Sequence, residues 1–292
     1  MLNRRVWTRQ PQGAVSVDWS NPITTKLAFC APLNAGTAAY DLVTGQMLTR
    51  TGALTATSSP NGVYPSFSGT SYLDVPRNLV GITQTTPVSF AWTQYPIGTT
   101  GDNSVLNWKP VGATNSFLIY ESAGSEPYYF VVGPRNGGFL QVARFSNSIG
   151  PTTNNVLNRY CVIVPNGTVD ASTAKLFRDG VEILSTTSGS TNSLGAATAD
   201  IFRIGAVETG AAPFEGLLGN VHMWGRALSR NEAIAWTQNE FSTLAPLRRP
   251  VFAPSAAAAG STITTATLPA GVGHMGSGQT RAIQSAGVSY MG

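Results

Sequence analysis

Short runs in which apolar and polar residues alternate fill much of the chain between residues 27 and 205, and clusters of Gly, Pro, Asn and Ser separate them. Alternation with a period of two gives a β-strand one apolar face. In the run at residues 87–93, Val88, Phe90 and Trp92 share that face. Further runs lie at residues 27–33, 66–75, 105–108, 116–120, 128–132, 139–143, 160–164, 174–184 and 200–205. The pattern predicts an all-β sandwich or jelly roll.

Two local signals add a hairpin and a helix to this pattern. Asp179-Gly180 is the pair best suited to a tight primed turn between two strands. The closing segment at residues 214–236 predicts a core strand, a turn and one short helix. Ser229 followed by Glu232 forms the pattern of a capping box, which satisfies two backbone donors at a helix start.

Five segments, in this order, resemble the LamG-like domains of the concanavalin A-like jelly rolls. They are FSGTSYLDV at residues 67–75, VSFAW at 88–92, KLFRDG at 175–180, FRIG at 202–205 and the closing segment from 214 to 229. The resemblance implies a β-sandwich jelly roll over residues 27–244 with one short C-terminal helix. We therefore expect an N-terminal leader or arm at residues 1–26 and an extended arm at residues 245–292.

The composition favours a β-protein with a polar, weakly charged surface. Charged residues are 11% of the chain, less than half of the ~25% that is usual. Cys30 and Cys161 each lie inside an apolar run, which favours two core thiols over a disulfide. The start of the chain does not resemble a signal peptide, and no run approaches the ~20 apolar residues that a membrane helix needs. We expect synthesis in a cytosol and no membrane partner.

The basic residues are concentrated at the two ends of the chain. Residues 1–26 carry four basic residues and one acid, and residues 245–292 carry three arginines and no acid. The part between them is nearly neutral, with 11 basic and 13 acidic residues. Such ends favour docking onto an acidic partner, with solvated termini as the alternative. No basic stripe with interleaved aromatics is present, so nucleic acid is not an expected partner.

A second resemblance concerns the ends of the chain. WTRQPQG at residues 7–13, VDWSNPI at 17–23 and LRRPVFAP at 247–254 resemble LamG-like proteins encoded by tailed bacteriophages and prophages. The resemblance implies a non-enzymatic virion structural protein, as capsid decoration, head fibre or tail-associated protein, made in the host cytoplasm. Its partners would be other virion proteins. A repeated attachment site would favour a homo-oligomer, for which a trimer is considered although nothing in the sequence fixes the number.

The C-terminal arm has a composition that cannot fold alone. Residues 255–292 are mainly Ala, Gly, Ser and Thr, with too little apolar surface for a core. A disordered tail is one interpretation; an extended arm that lays a strand on a partner is the preferred one. Residues 261–268 have the β-branched content for such a strand. The predicted anchoring residues are Arg248, Arg249, Ile263, Leu268 and Arg281.

The motifs of catalysis are missing from the sequence. Glucanases of this fold use closely spaced carboxylates, whereas the nearest pair here, Glu121 and Glu126, is predicted to lie in a loop between strands. His222 and His274 are far apart, with no nucleophile elbow, zinc-ligand spacing or nucleotide loop near them. We expect no enzymatic activity.

Carbohydrate binding is the alternative function. Aromatic residues flank two loops, at residues 109–115 and 121–127, where they could stack on sugars; the candidates are Trp108, Tyr120, Tyr128 and Tyr129. The resemblance also allows a calcium ion, with Asp74, Asp102 and Asn103 as donors, although turn formation is the commoner explanation for Asp102 and Asn103. No other cofactor is expected.

Overall fold

A computed structural model describes residues 10–11, 14–33, 39–59, 61–76, 79, 81–96, 103–110, 116–122, 129–135, 139–146, 156–191, 201–207 and 212–247. Its strands are β1 (Val15–Val17), β2 (Leu27–Ala31), β3 (Thr49–Thr51), β4 (Thr55–Ser59), β5 (Gly62–Phe67), β6 (Tyr72–Asp74), β7 (Val88–Pro96), β8 (Asn103–Trp108), β9 (Ser116–Ser122), β10 (Tyr129–Arg135), β11 (Phe139–Ser146), β12 (Asn158–Val164), β13 (Lys175–Arg178), β14 (Val181–Ile183), β15 (Ser185–Thr191), β16 (Phe202–Ile204), β17 (Gly216–Trp224) and β18 (Leu244–Pro246). A 3-10 helix covers Pro22–Thr24, and helix α1 covers Arg230–Gln238.

The strands form two large antiparallel sheets and one small ribbon. The front sheet has the strand order β15-β11-β10-β9-β8-β16-β6-β3. The back sheet has the order β14-β13-β12-β7-β17-β5-β4, and β2 also pairs with β17. Strands β1 and β18 pair with each other only, and we call them the terminal ribbon. This architecture confirms the predicted jelly-roll sandwich.

One apolar core lies between the front and back sheets. Val88, Phe90 and Trp92 are buried on the inner side of β7, as their alternation predicts. The ring of Phe90 stacks on that of Phe117 from the front sheet, with 5.1 Å between the ring centres. Side chains from the two sheets pack against each other in this way, and this packing holds the two inner faces together.

A second apolar cluster covers the outer face of the back sheet. Helix α1 contributes Ala233 and Trp236, and the chain after it contributes Phe241 and Leu244. Cys30 and Cys161 are buried in this cluster as free thiols, which confirms the predicted core cysteines. The helix therefore closes the outer side of the back sheet.

The two local signals form the structures that the sequence predicts. Asp179 and Gly180 both have positive φ, 46° and 87°, in the turn between β13 and β14. The hydroxyl of Ser229 accepts a hydrogen bond from the Glu232 amide, and the Glu232 carboxylate accepts one from the Ser229 amide. Arg226 donates to both oxygens of Glu232 at 2.6 and 2.9 Å and lowers the pKa of that carboxyl to about 2. An ionised cap thus holds the helix start.

The structure extends the domain beyond the predicted boundaries at residues 27 and 244. Val15–Val17 pairs with Leu244–Pro246, and Val17 and Ile23 are buried in the outer cluster. The carbonyl of Ile23 accepts a hydrogen bond from the indole of Trp224 at 2.7 Å. Residues 14–26 are therefore part of the sandwich, because their apolar side chains cover the back sheet. Within the described ranges, no helix has the length and apolarity to cross a membrane.

Replacing the cap residue tests how much the closing helix depends on its start. We expect Ser229→Ala to lower the free energy of unfolding by about 1 kcal/mol, because the Glu232 amide loses its acceptor. Chemical denaturation monitored by tryptophan fluorescence measures the loss. Ser58→Ala, on the exposed side of β4, is the control and should change stability by less than about 0.5 kcal/mol. Equal losses in both variants would contradict the capping role.

Candidate functional site

A row of side chains crosses the outer face of the front sheet. The strand register places Asp74, Arg203, Asn107 and Leu118 next to one another across four strands. Cross-strand partners lie on the same face of a sheet, with Cβ atoms about 5 Å apart. This row faces away from the core, because its neighbours in sequence point inward.

Asn107 occupies the middle of this row and is fully buried. Both atoms of its side-chain amide, Oδ1 and Nδ2, are without a hydrogen-bond partner among the described residues. A buried polar group left without a partner destabilises a fold by about 1–3 kcal/mol. Such a position calls for an explanation, and a bound water or a bound ligand group would each supply the missing partners.

Two serines extend this arrangement along strands β8 and β9. Ser104 lies opposite Tyr120, and Ser116 is two residues before Leu118, which lies opposite Asn107. Both serine hydroxyls are buried and lack a partner within the described part of the chain. At about 3.3 Å per residue, the positions from Ser116 to Tyr120 span about 13 Å along the strand. We call Ser104, Asn107 and Ser116 the front site.

An ion pair lies directly beside the front site. Arg203 donates from Nε and Nη2 to the two carboxylate oxygens of Asp74, at 2.7 and 3.0 Å, and from Nη1 to the Val207 carbonyl at 3.1 Å. The guanidinium carbon lies 3.8 Å from the ring centre of Tyr72. Because three groups hold it, the Arg203 side chain has a fixed position at the edge of the site.

The predicted sugar-binding aromatics separate into different environments. Trp108 was expected to stack on a sugar, but its indole lies in the core, 2% exposed, at 6.1 Å from Phe90. Alternation along β8 is the reason: Asn107 points outward, so Trp108 points inward. Tyr120 lies on the outer face beside Ser104 and is buried. Of these two aromatic residues, Tyr120 lies on the outer face of the front sheet and Trp108 on the inner face.

The other predicted residues give no geometry for a sugar or partner site. Tyr129 begins β10 and pairs with Ser122 through the backbone, but its side chain falls outside the described set. Tyr128, together with the predicted anchoring residues Arg248, Arg249, Ile263, Leu268 and Arg281, lies outside the described residues.

Two of the calcium candidates already have partners within the protein. Asp74 is bound to Arg203 through both oxygens, and the side-chain oxygen of buried Asn103 accepts a hydrogen bond from the Glu215 amide at 3.3 Å. Asp102 is outside the described residues. Across the ranges that the structure describes, no group of three or more acidic, His or Cys side chains could hold a metal. Asp74 serves as the partner of an arginine.

Glu121 does not lie in a loop, contrary to the prediction. It belongs to β9, pairs with Asn103 and is 2% exposed. The amide nitrogen of Gln94, from the facing back sheet, donates to its carboxylate at 3.4 Å. The strand continues past Tyr120 because this inward-facing acid finds a polar partner across the sandwich. Glu126 lies outside the described residues.

A cysteine and a histidine meet on the outer side of the back sheet. Cys30 Sγ lies 3.3 Å from His222 Nε2, which is also 2.8 Å from the Thr243 hydroxyl. His222 Nδ1 lies 2.8 Å from the Asn220 carbonyl; a carbonyl only accepts, so Nδ1 carries the proton. Burial raises the pKa of the Cys30 thiol and lowers that of His222 to about 4. A neutral, fully buried thiol is a poor nucleophile, so this pair is a structural element.

The front site had one signal in the sequence. Asn107 interrupts the apolar run Val105–Trp108, and a polar residue inside such a strand is unusual. The position of Asn107 is informative only together with that of Arg203. Arg203 lies 96 positions later in the chain, and the pairing of β16 with β8 places it beside Asn107. Serines are common in loops and strand ends, so Ser104 and Ser116 carried no signal of their own.

The family of the chain follows from a comparison with family models. Residues 67–233 match the Concanavalin A-like lectin/glucanases superfamily model Laminin_G_3, and the chain belongs to this family. The match confirms the predicted LamG-like domain. No curated protein matches the chain.

Several solved structures are similar in fold. Domain 4 of an extracellular arabinanase from Geobacillus stearothermophilus, in complex with arabinotriose, has 16% identity and a TM-score of 0.48, covering 73% of this chain and 98% of that one. The CBM40 of a Ruminococcus gnavus sialidase, bound to α2,6-sialyllactose, has 17% identity and a TM-score of 0.37, covering 52% and 84%. The binding domain of Paraclostridial Mosquitocidal Protein 1 has 12% identity and a TM-score of 0.49, covering 74% and 52%.

The buried histidine makes stability depend on pH. The folded chain holds the pKa of His222 at about 4, below the 6.5 of the unfolded state. The unfolded chain therefore takes up a proton first, and the free energy of unfolding should fall as pH decreases from 6.5 toward 4. Urea unfolding between about pH 7 and pH 5 measures this slope, which one proton limits to about 1.4 kcal/mol per pH unit.

Two variants separate His222 from other titrating groups in this experiment. His222→Gln should be less stable overall and should lose most of the slope between about pH 7 and pH 5, where carboxyl groups contribute little. His274→Gln should keep the slope of the unmodified chain. An unchanged slope in His222→Gln would show that another group titrates.

Proposed function

We propose that this chain is a non-catalytic carbohydrate-binding jelly roll that binds its ligand at the front site. The observation that carries the proposal is the group of unpartnered polar atoms on Ser104, Asn107 and Ser116. A sugar offers many hydroxyls, each able to donate and accept, over the length of this group. Membership of a family of lectins and glucanases agrees with such a ligand.

The surroundings of the front site are suited to holding a sugar in one orientation. Arg203 is fixed by Asp74, Val207 and Tyr72, so it forms a rigid wall. Tyr120 supplies an aromatic residue on the same face. Specific ligand sites combine a few placed polar groups with aromatic surface in this way. We assign entry to the side of Asp74, whose side chain is 31% exposed.

Binding without cleavage is proposed because of the carboxylate arrangement. Glycoside hydrolysis uses two carboxyl groups about 5–10 Å apart, one of them able to give up a proton. Asp74 beside the front site is held by Arg203, and Glu121 of β9 faces the interior of the sandwich. Neither is in a position to protonate a glycosidic oxygen at the front site.

Replacing Ser116 tests the proposal, because the hydroxyl of this serine makes no hydrogen bond to the described part of the folded chain. We first identify a ligand on an oligosaccharide array that includes arabinotriose and sialyllactose. Ser116→Ala should then weaken binding about fivefold in isothermal titration calorimetry, the equivalent of one lost hydrogen bond of about 1 kcal/mol. Its free energy of unfolding should be unchanged or higher, because the change removes a buried hydroxyl that has no partner among the described residues.

Ser89 in the back sheet is the matched control. Its hydroxyl accepts from the Leu228 amide and donates to the Arg226 carbonyl. Ser89→Ala should therefore lose about 1–2 kcal/mol of stability and bind the ligand as before. Equal binding by both variants, or no ligand on the array, would exclude the front site as a sugar site.

We also propose a role in a virion, with attachment through both ends of the chain. The terminal ribbon is the specific observation that supports it. The Leu247 amide donates to the Ala14 carbonyl at 2.9 Å, so the chain enters and leaves this ribbon side by side. Gln10 is hydrogen-bonded to the domain as well, to the Asn61 carbonyl and the Val63 amide. The Cα atoms of Gln10 and Ala14 are four residues apart in the chain and therefore at most about 14 Å apart in space.

The ribbon's position agrees with display of the front site. Val17 and Leu244 pack on the outer face of the back sheet, whereas the front site lies on the outer face of the front sheet. Residues 1–9 and 248–292 carry three arginines each and no acid, and residues 10–247 carry 12 basic and 14 acidic residues. We propose that these basic segments make the attachment.

Co-sedimentation with phage particles that lack this protein tests attachment. The full-length chain should pellet with the particles, and a variant with Arg248, Arg249 and Arg281 replaced by Gln should pellet much less. Arg230→Gln, an exposed arginine paired with Glu182, is the control and should pellet fully. No pelleting of the unmodified chain would exclude the virion role without affecting the sugar site.

A further inference from the structure

We infer that the front site takes an uncharged ligand group that can donate hydrogen bonds, so that neutral sugars bind and their acidic counterparts do not. The inference rests on the proposed carbohydrate-binding function and names the class of sugar. It depends on the chemistry of Asn107, on the bonds already made by Arg203 and on the charge of Asp74.

The side chain of Asn107 requires both a donor and an acceptor from its ligand. Its Oδ1 only accepts, and its Nδ2 only donates. Both atoms are buried and unpartnered in the described part of the structure. A hydroxyl can satisfy either atom, whereas an ionised carboxylate or a sulfate only accepts. An anionic group at this position would leave Oδ1 without a donor.

The arginine beside the site offers little to an anion. Three of its nitrogens already donate, two to Asp74 and one to the Val207 carbonyl. The two charges cancel, and the partly exposed carboxylate of Asp74 lies on the side where the ligand enters. An acidic sugar would therefore gain no net attraction from this neutral ion pair.

This arrangement differs from the usual recognition of acidic sugars. A site for carboxylates presents an arginine whose two parallel N–H groups face the ligand. In the front site those groups face Asp74 instead. Asp74 thus acts as a specificity-determining residue, because it occupies the donors that would otherwise select an anion.

Paired oligosaccharides test the inference. The probes are galactotriose with trigalacturonic acid and mannotriose with trimannuronic acid, added to the full-length chain at neutral pH. We expect the neutral member of a pair to bind at least tenfold more tightly. Its affinity should change less than twofold between low and high salt. Tighter binding of the acidic member, weakening as salt rises, would overturn the inference while leaving carbohydrate binding intact.

An Asp74 variant gives a second measurement. Asp74→Asn frees the donors of Arg203 and removes the negative charge, so the preference for the neutral member should shrink at least fivefold. Asp170→Asn, in an exposed turn with its own Ser172 contacts, is the matched control and should keep the preference. Thermal melting confirms that both variants are folded. An unchanged preference in Asp74→Asn would overturn the role of Asp74, and binding of none of the probes or array sugars would overturn the proposed function itself.

Discussion

Strand β17 is buried over its whole length, from Gly216 to Trp224, and the rest of the domain is arranged around this requirement. Its inner side chains enter the core between the sheets, and its outer ones, His222 and Trp224, need a separate cover. Helix α1 and the terminal ribbon provide that cover. The front sheet has no comparable covering helix among the described residues, and the front site lies on its outer face.

Local patterns in the sequence were sufficient to predict much of this fold. Alternation identified the strand at Val88–Trp92, Asp179-Gly180 identified a hairpin, and the Ser229 capping box identified the helix. Each signal lies within a few residues of its effect. The leader was harder to predict, because it joins the domain through a partner more than two hundred residues away, at Leu244.

The front site could be predicted only in part, for the same physical reason. Tyr120 was found on its aromatic character, and Trp108 was assigned to the wrong face because loop flanks do not reveal which side of a strand is buried. Asn107 becomes informative only when the register places it between Leu118 and Arg203. Long-range pairing decides which polar residues meet, and alternation alone does not contain that information.

The terminal ribbon also determines how this domain can be combined with other chains. Ala14 and Leu247 are hydrogen-bonded neighbours, so the domain formed by residues 14–247 begins and ends at adjacent positions. Domains with adjacent ends can be inserted into a surface loop of another protein without stretching that loop. Such a domain is suited to insertion into another protein as an intact unit.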